Sequence, residues 1–199
     1  TKVAVGMLSA TGTPGSGNFL RGDGTWNAPA AGLTFISSTD ISDAATYDFT
    51  GFTAGSYENY LLVLQNLIPA TDNVHFNLRT SSDATNYDSG SSDYSWYTTV
   101  ASTEYIDNAD TLMSPTGHQD TGGTSYRVGS DTDEHGVCGQ VWIFQPHATS
   151  QTIVGWDLAY HGATATKMGH ANGGGVRRSA ADVDGFRILF SSGNIESGT

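Results

Sequence analysis

The chain has 199 residues, enough for one domain with a substantial core and short for two. Its 20 Asp and Glu outnumber 8 Lys and Arg, a formal charge of −12, which argues against nucleic acid or an anionic bilayer as partner, since both are held by clustered cations. With 14% charged residues, 25 Gly and no apolar run of about 18 residues, the composition speaks for strands joined by tight turns and against membrane insertion.

Lys2 to Leu8 alternates loosely through Val3, Val5 and Met7 and is expected to be a short strand or the end of an upstream stalk. The start at Thr1, without an initiator Met or signal peptide, suggests an excerpt or a processed chain. From Gly12 to Pro29, seven of eighteen residues are Gly or Pro, which suits turns, yet Phe19, Leu20 and Trp26 are embedded there. So thin a segment cannot bury three large apolar side chains alone, and other chains are expected to cover them. Arg21-Gly22-Asp23 reads as a turn between packed aromatics rather than an integrin-type recognition loop. Gly22 and Gly24 are expected at positive φ, and Arg21 and Asp23 are placed for a salt bridge between subunits. Residues 1–32 thus form a neck that closes in Ala28-Pro29-Ala30-Ala31-Gly32, and residues 33–199 a head.

Strands are expected at Leu33–Ser37, Thr46–Phe52 and Tyr57–Leu67, the last long and apolar enough to lie inside a sheet. Val74–Arg79 alternates, with Val74, Phe76 and Leu78 inward and His75, Asn77 and Arg79 facing solvent or a neighbouring subunit. Ser81–Asp93 is a loop with one aromatic, Tyr87, and Tyr94–Val100 an aromatic strand. Thr103–Asp133 is weakly patterned and expected to be loop. Val137–Gln145 alternates, with Val137, Val141 and Ile143 on one face and Cys138, Trp142 and Phe144 on the other. It pairs with Thr152–Tyr160 through a hairpin turn at His147–Ser150. Lys167–Ala171 is a short strand ended by Asn172-Gly173-Gly174-Gly175, and Val183–Phe190 is the last clear strand. Ser191–Thr199 reads as a turn, leaving an edge for another chain or for a strand beyond Thr199. Eight to ten strands at this spacing predict an all-β, antiparallel β-sandwich, jelly-roll-like.

The lone Cys138 forms no intrachain disulfide and is expected to be a buried small hydrophobe. The six histidines (75, 118, 135, 147, 161, 170) match no zinc spacing; one per subunit around a trimer axis is the alternative. Asp83, Asp88 and Asp93, and Asp131, Asp133 and Glu134, could supply oxygens to calcium, but neither set has EF-hand spacing, and Asx turns account for them. No cofactor is expected, with calcium left open. Hydrolysis of glycans needs two carboxylates a fixed distance apart, which a sequence does not display. No Gly-x-Ser-x-Gly elbow or phosphate loop is present, so binding is expected rather than catalysis. Tyr87, Tyr94, Trp96, Tyr97 and Tyr105, set among short polar residues, are the candidates for stacking against a sugar, with packing as the reading beside it.

The octapeptide Phe19-Leu20-Arg21-Gly22-Asp23-Gly24-Thr25-Trp26, with its Gly/Thr/Pro-rich lead and following Ala28-Pro29, resembles the linker before the C-terminal heads of bacteriophage tail-fibre and related virion fibre proteins. Tyr47–Phe52, Tyr57–Tyr60, Pro69–Asp72, Tyr87–Gly90 and Gly185–Ile195 fall in the order of such a head. The resemblance implies a homotrimeric fibre exposed on the virion, with other virion proteins and a host surface glycan or protein as partners. In it Phe19, Leu20, Arg21, Asp23 and Trp26 would make the subunit contact. A capsid-decorating fibre would share these features, and a free-standing secreted lectin is the reading from another class.

Overall fold

The computed structural model describes residues 11–13, 15–28, 32–52, 56–117, 126–164 and 166–199. The expected strand at Lys2–Leu8, the closing Pro29-Ala30-Ala31 and His118 lie outside them. Two compact units follow one another along the chain, Thr1–Ser38 and Thr39–Thr199.

In the first unit, β1 (Phe19–Leu20) and β2 (Trp26–Asn27) form an antiparallel arch, with Phe19 opposite Asn27 and Leu20 opposite Trp26. Its turn is closed by Arg21 N donating to Thr25 O at 2.8 Å and Gly24 N to Arg21 O at 3.0 Å. Of the two glycines only Gly24 takes a positive φ (80°), which corrects the expectation for Gly22. Asp23 Oδ1 accepts from Thr25 N at 2.9 Å and Thr25 Oγ1 at 2.7 Å. These bonds, the hydroxyl's first, hold the Asp23 carboxyl below its usual range. Arg21 Nη2 meanwhile donates to Ala28 O at 3.2 Å. Leu33–Ser37 forms no strand: Leu33 and Phe35 are 80% and 79% exposed. An apolar alternation makes a strand only where a neighbour completes its ladder, and no ladder partner is found for it among the described residues.

The second unit is all-β. Its strands are β3 (Ile41–Ala44), β4 (Thr46–Thr50), β5 (Asn59–Pro69), β6 (Phe76–Ser81), β7 (Tyr94–Val100), β8 (Thr103–Asp110), β9 (Val137–Phe144), β10 (Ile153–His161), β11 (Met168–Arg177), β12 (Gly185–Phe190) and β13 (Ile195–Gly198). One antiparallel sheet runs β3-β13-β5-β9-β10-β11-β7-β8 and another β4-β12-β6. Their inner faces share one core, in which Tyr60, Val141, Trp156 and Trp96 of the larger sheet join Phe76, Leu78, Phe186 and Ile188 of the smaller, as in a β-sandwich. Several polar groups brought inside find partners: Trp156 Nε1 donates to Thr98 Oγ1 at 3.1 Å, Trp96 Nε1 to Asp110 Oδ2 at 2.9 Å, and Thr80 N to Tyr94 OH at 2.7 Å.

Three further expectations are corrected. β11 runs straight through Asn172-Gly173-Gly174-Gly175, because these glycines make room for neighbours instead of turning the chain. A Cβ at Gly175 would lie 2.7 Å from Met113 Sδ and 3.1 Å from Trp96 Cβ. Thr103–Asp110, expected as loop, is the edge strand β8, carried by its hairpin to β7. The turn after Phe190 ends at Asn194, and Ile195–Gly198 is a strand between β3 and β5, so the open edge expected there is filled within the chain.

Candidate functional site

The sugar-stacking candidates are dispersed. Tyr94 and Trp96 are 0% and 4% exposed, so their rings belong to the core. Burial pushes the Tyr94 hydroxyl up to about 12, keeping it a proton donor. Tyr105 is half-buried beneath Gly117, its ring 3.2 Å from where a Cβ would stand. Tyr97 lies on the outer face of the eight-stranded sheet and Tyr87 in the loop over the three-stranded one. Of the neck candidates, Phe19 and Leu20 stay 62% and 42% exposed, Arg21 and Asp23 occupy the turn, and Trp26 is half-buried.

Strand register brings together an outer surface on the larger sheet that no short motif announces. Leu61, Trp142, Gly155, Gly174, Tyr97 and Ile106 stand side by side across β5, β9, β10, β11, β7 and β8. Phe144, Ile153 and Val176 make the next row on one side. Exposed Ile106, Ile153 and Phe144 give these two rows an apolar character, flattened by the two glycines, and exposed Val63 stands beside Gln140 in the row that follows. On its other side runs a polar row, Gln140, Asp157, Asn172, Thr99 and Glu104. There His170 Nε2 meets Asp157 Oδ1, and Tyr97 OH shares a 3.0 Å bond with Thr99 Oγ1. Cys138 falls on this outer face, half-buried, its Sγ accepting from Asn66 N at 3.2 Å, and not in the core as expected.

The outer face of the smaller sheet is polar. Asp48, Arg187 and Arg79 are direct cross-strand neighbours on β4, β12 and β6. Arg187 grips Asp48 through both arms, Nε to Oδ1 at 2.6 Å and Nη2 to Oδ2 at 2.7 Å, which raises the guanidinium pKa further. The loop 82–93 folds back so that the Tyr87 ring centre lies 3.9 Å from the Arg187 guanidinium carbon. Gly185 opposite is kept small by that ring: a Cβ there would approach Tyr87 OH to 2.9 Å. Burial, then Asp48, push the Tyr87 hydroxyl up to about 12. Asp83 pins the loop by accepting from Asn86 Nδ2 at 2.8 Å, Asn86 N at 2.6 Å, Thr85 N at 2.8 Å and Ser81 Oγ at 2.9 Å. These bonds, the Asn86 side chain's first, drive its carboxyl far below the usual range.

Three other acids weighed for calcium are engaged within the chain. Asp88 joins the buried Arg177, Asp93 Oδ2 accepts from Gly90 N at 2.6 Å, and Glu134 Oε2 accepts from Asp131 N at 3.0 Å. Among the described residues the donors that do converge are His147, Asp182 and Asp184, all within 4.8 Å of one another, and there His147 Nδ1 already meets Asp182 Oδ1 at 2.8 Å. His135 and His161 stack at 5.8 Å, and His135 N donates to His161 Nδ1 at 2.7 Å.

No protein-family model matches the chain, and neither does any curated protein or solved structure. Sequence reasoning missed Trp142, Ile106 and Ile153 as members of one surface and Arg79 with Arg187 as a pair. Alternation assigns Trp142 and Arg79 to outward positions, but the grouping of these residues depends on the order and register of strands distant in sequence.

Proposed function

We propose that the chain is the C-terminal part of a homotrimeric bacteriophage fibre whose head attaches the virion to the host surface. The observation that carries this reading is a pair of exposed apolar surfaces on one chain. The β1–β2 arch leaves Phe19 and Leu20 in water, and the outer face of the eight-stranded sheet leaves Trp142, Tyr97, Ile106, Phe144 and Ile153 partly or largely uncovered. A flat apolar band bordered on one side by a polar row suits a subunit contact, and its occupant is a second copy of the head. Copies joined through their necks meet at high effective concentration, so a modest contact suffices, and three heads present three copies of a receptor site. The octapeptide from Phe19 to Trp26 supports the assignment to a virion fibre.

Strand order supports a jelly-roll-like head. The run β3-β13-β5-β9 lies opposite β4-β12-β6, so the first strands of the head pair with its last in both layers, as nested Greek keys require. Binding, not catalysis, is its mechanism, with the receptor taken by faces left free in the trimer. Light scattering on the full chain tests the reading. The expected mass is three times the 20.9 kDa of one chain, and a monomer at all concentrations would overturn it.

A further inference from the structure

Arg79 is an anomaly in an acidic chain. Its side chain has no hydrogen-bond or ionic partner among the described residues, although acids outnumber Lys and Arg by 20 to 8. Its Nε is buried and unpaired, a costly arrangement for a charged group. Directly across the ladder stands Arg187, a second guanidinium, and like charges in that relation repel. Asp48 neutralises only Arg187, both of whose bonds to it run through Nε and Nη2, leaving Nη1 uncommitted to that pair. Asn77, two residues back on the same face of β6, holds an equally unpaired Oδ1 and does not accept from Arg79. The other nearby carboxylate, Asp83, is consumed by its own loop.

We propose that Arg79 and Arg187 together bind the carboxylate of an acidic saccharide. This rests on the host-attachment reading and names the chemistry of its receptor. Two adjacent guanidiniums offer forked donors matched to a planar carboxylate. Asp48 keeps Arg187 in position, and Tyr87 lies on it as a flat wall beside the bound group. Thr50 and Thr46, on the same face of β4, supply hydroxyls suited to a sugar. An acidic head thereby takes up an anion at one local pair of cations while its net charge rejects polyanions without that fit.

The test is calorimetric titration of the full chain with oligomers of glucuronic acid and of sialic acid, beside a neutral glucose oligomer and inorganic phosphate. At least one acidic oligomer is expected to bind and the neutral one not to. Arg79→Met should weaken binding by about ten-fold or more, and Arg79→Lys should retain part of it. Thermal unfolding of both variants establishes that they are folded. Absence of binding by both acidic oligomers, undiminished binding by folded Arg79→Met, or phosphate binding as tightly as the saccharide, an adventitious ion only, would overturn the proposal. The mass of the same sample reads trimer formation separately, so failure of the fibre reading and failure of this site are told apart.

Discussion

Across the eight-stranded sheet one outward row reads Leu61, Trp142, Gly155, Gly174, Tyr97 and Ile106, whereas across the three-stranded sheet one reads Asp48, Arg187 and Arg79. Both rows are laid down by the same period-two alternation over the same core, so burial of the inner face does not choose between them. The outer residues are free of that constraint and report what each face meets. One row is mainly apolar and suits another protein surface. The other has charges matched in part within the chain and suits a polar ligand.

The inner layer serves both faces, and breaking it has the largest expected effect. Arg177, 3% exposed, binds Asp88 and the carbonyls of Ala181 and Asp182, tying β11 to two loops. Arg177→Met leaves these acceptors unpaired and should lower unfolding free energy in urea by about 3 kcal/mol. A loss below about 1 kcal/mol would mean that water replaces the guanidinium without penalty.

Ionic strength separates the faces next. Raising NaCl from 0.05 to about 0.5 M shortens the screening length to a few ångströms. Association through the apolar face should hold or strengthen, while saccharide binding at Arg79 should weaken several-fold. Parallel loss of both would assign them to one electrostatic surface. A smaller effect is expected of Arg187→Ala, which frees Asp48 and removes the support of Tyr87. Its Asp48 pair is partly exposed, so the expected cost is about 1 kcal/mol, seen in the denaturation midpoint with subunit mass unchanged.

The smallest change concerns acid. Asp83 has a depressed native pKa, so it stabilises the loop above the ordinary carboxylate range and loses that contribution as pH falls through its native value. Between about pH 4 and pH 2.5, Asp83 should remain ionised, read by its carboxyl NMR shift, with slow exchange of the Thr85 and Asn86 amides. Titration near pH 4 would show that the loop bonds do not favour the charged form.

The sequence made the all-β class, the interior place of β5 and the opposed faces of Val137–Gln145 legible, because alternation and turn residues are local. It misread the glycines at 173–175, of which Gly175 is kept small by Met113 and by Trp96 on the neighbouring strand while Gly173 and Gly174 lie against the backbone of adjacent strands, and the exposed Leu33–Ser37, whose alternation finds no ladder. Tyr94 and Trp96 illustrate the same limit for the site. Their composition is that of a sugar platform, and only the second sheet packed over them makes them core. Arg79 was read as outward-facing, but its unpaired state depends on Asp48 and Arg187, both far away in sequence.

The central claim is that the face around Trp142 joins subunits and the face around Arg79 does not. It is tested most directly by sedimentation of three full-length chains, the natural one, Trp142→Glu and Arg79→Glu. The account predicts a trimer for the natural chain and for Arg79→Glu, and a mass falling toward the monomer for Trp142→Glu at equal concentration. A natural chain that sediments as a monomer, or a trimer that Trp142→Glu leaves intact, would contradict it.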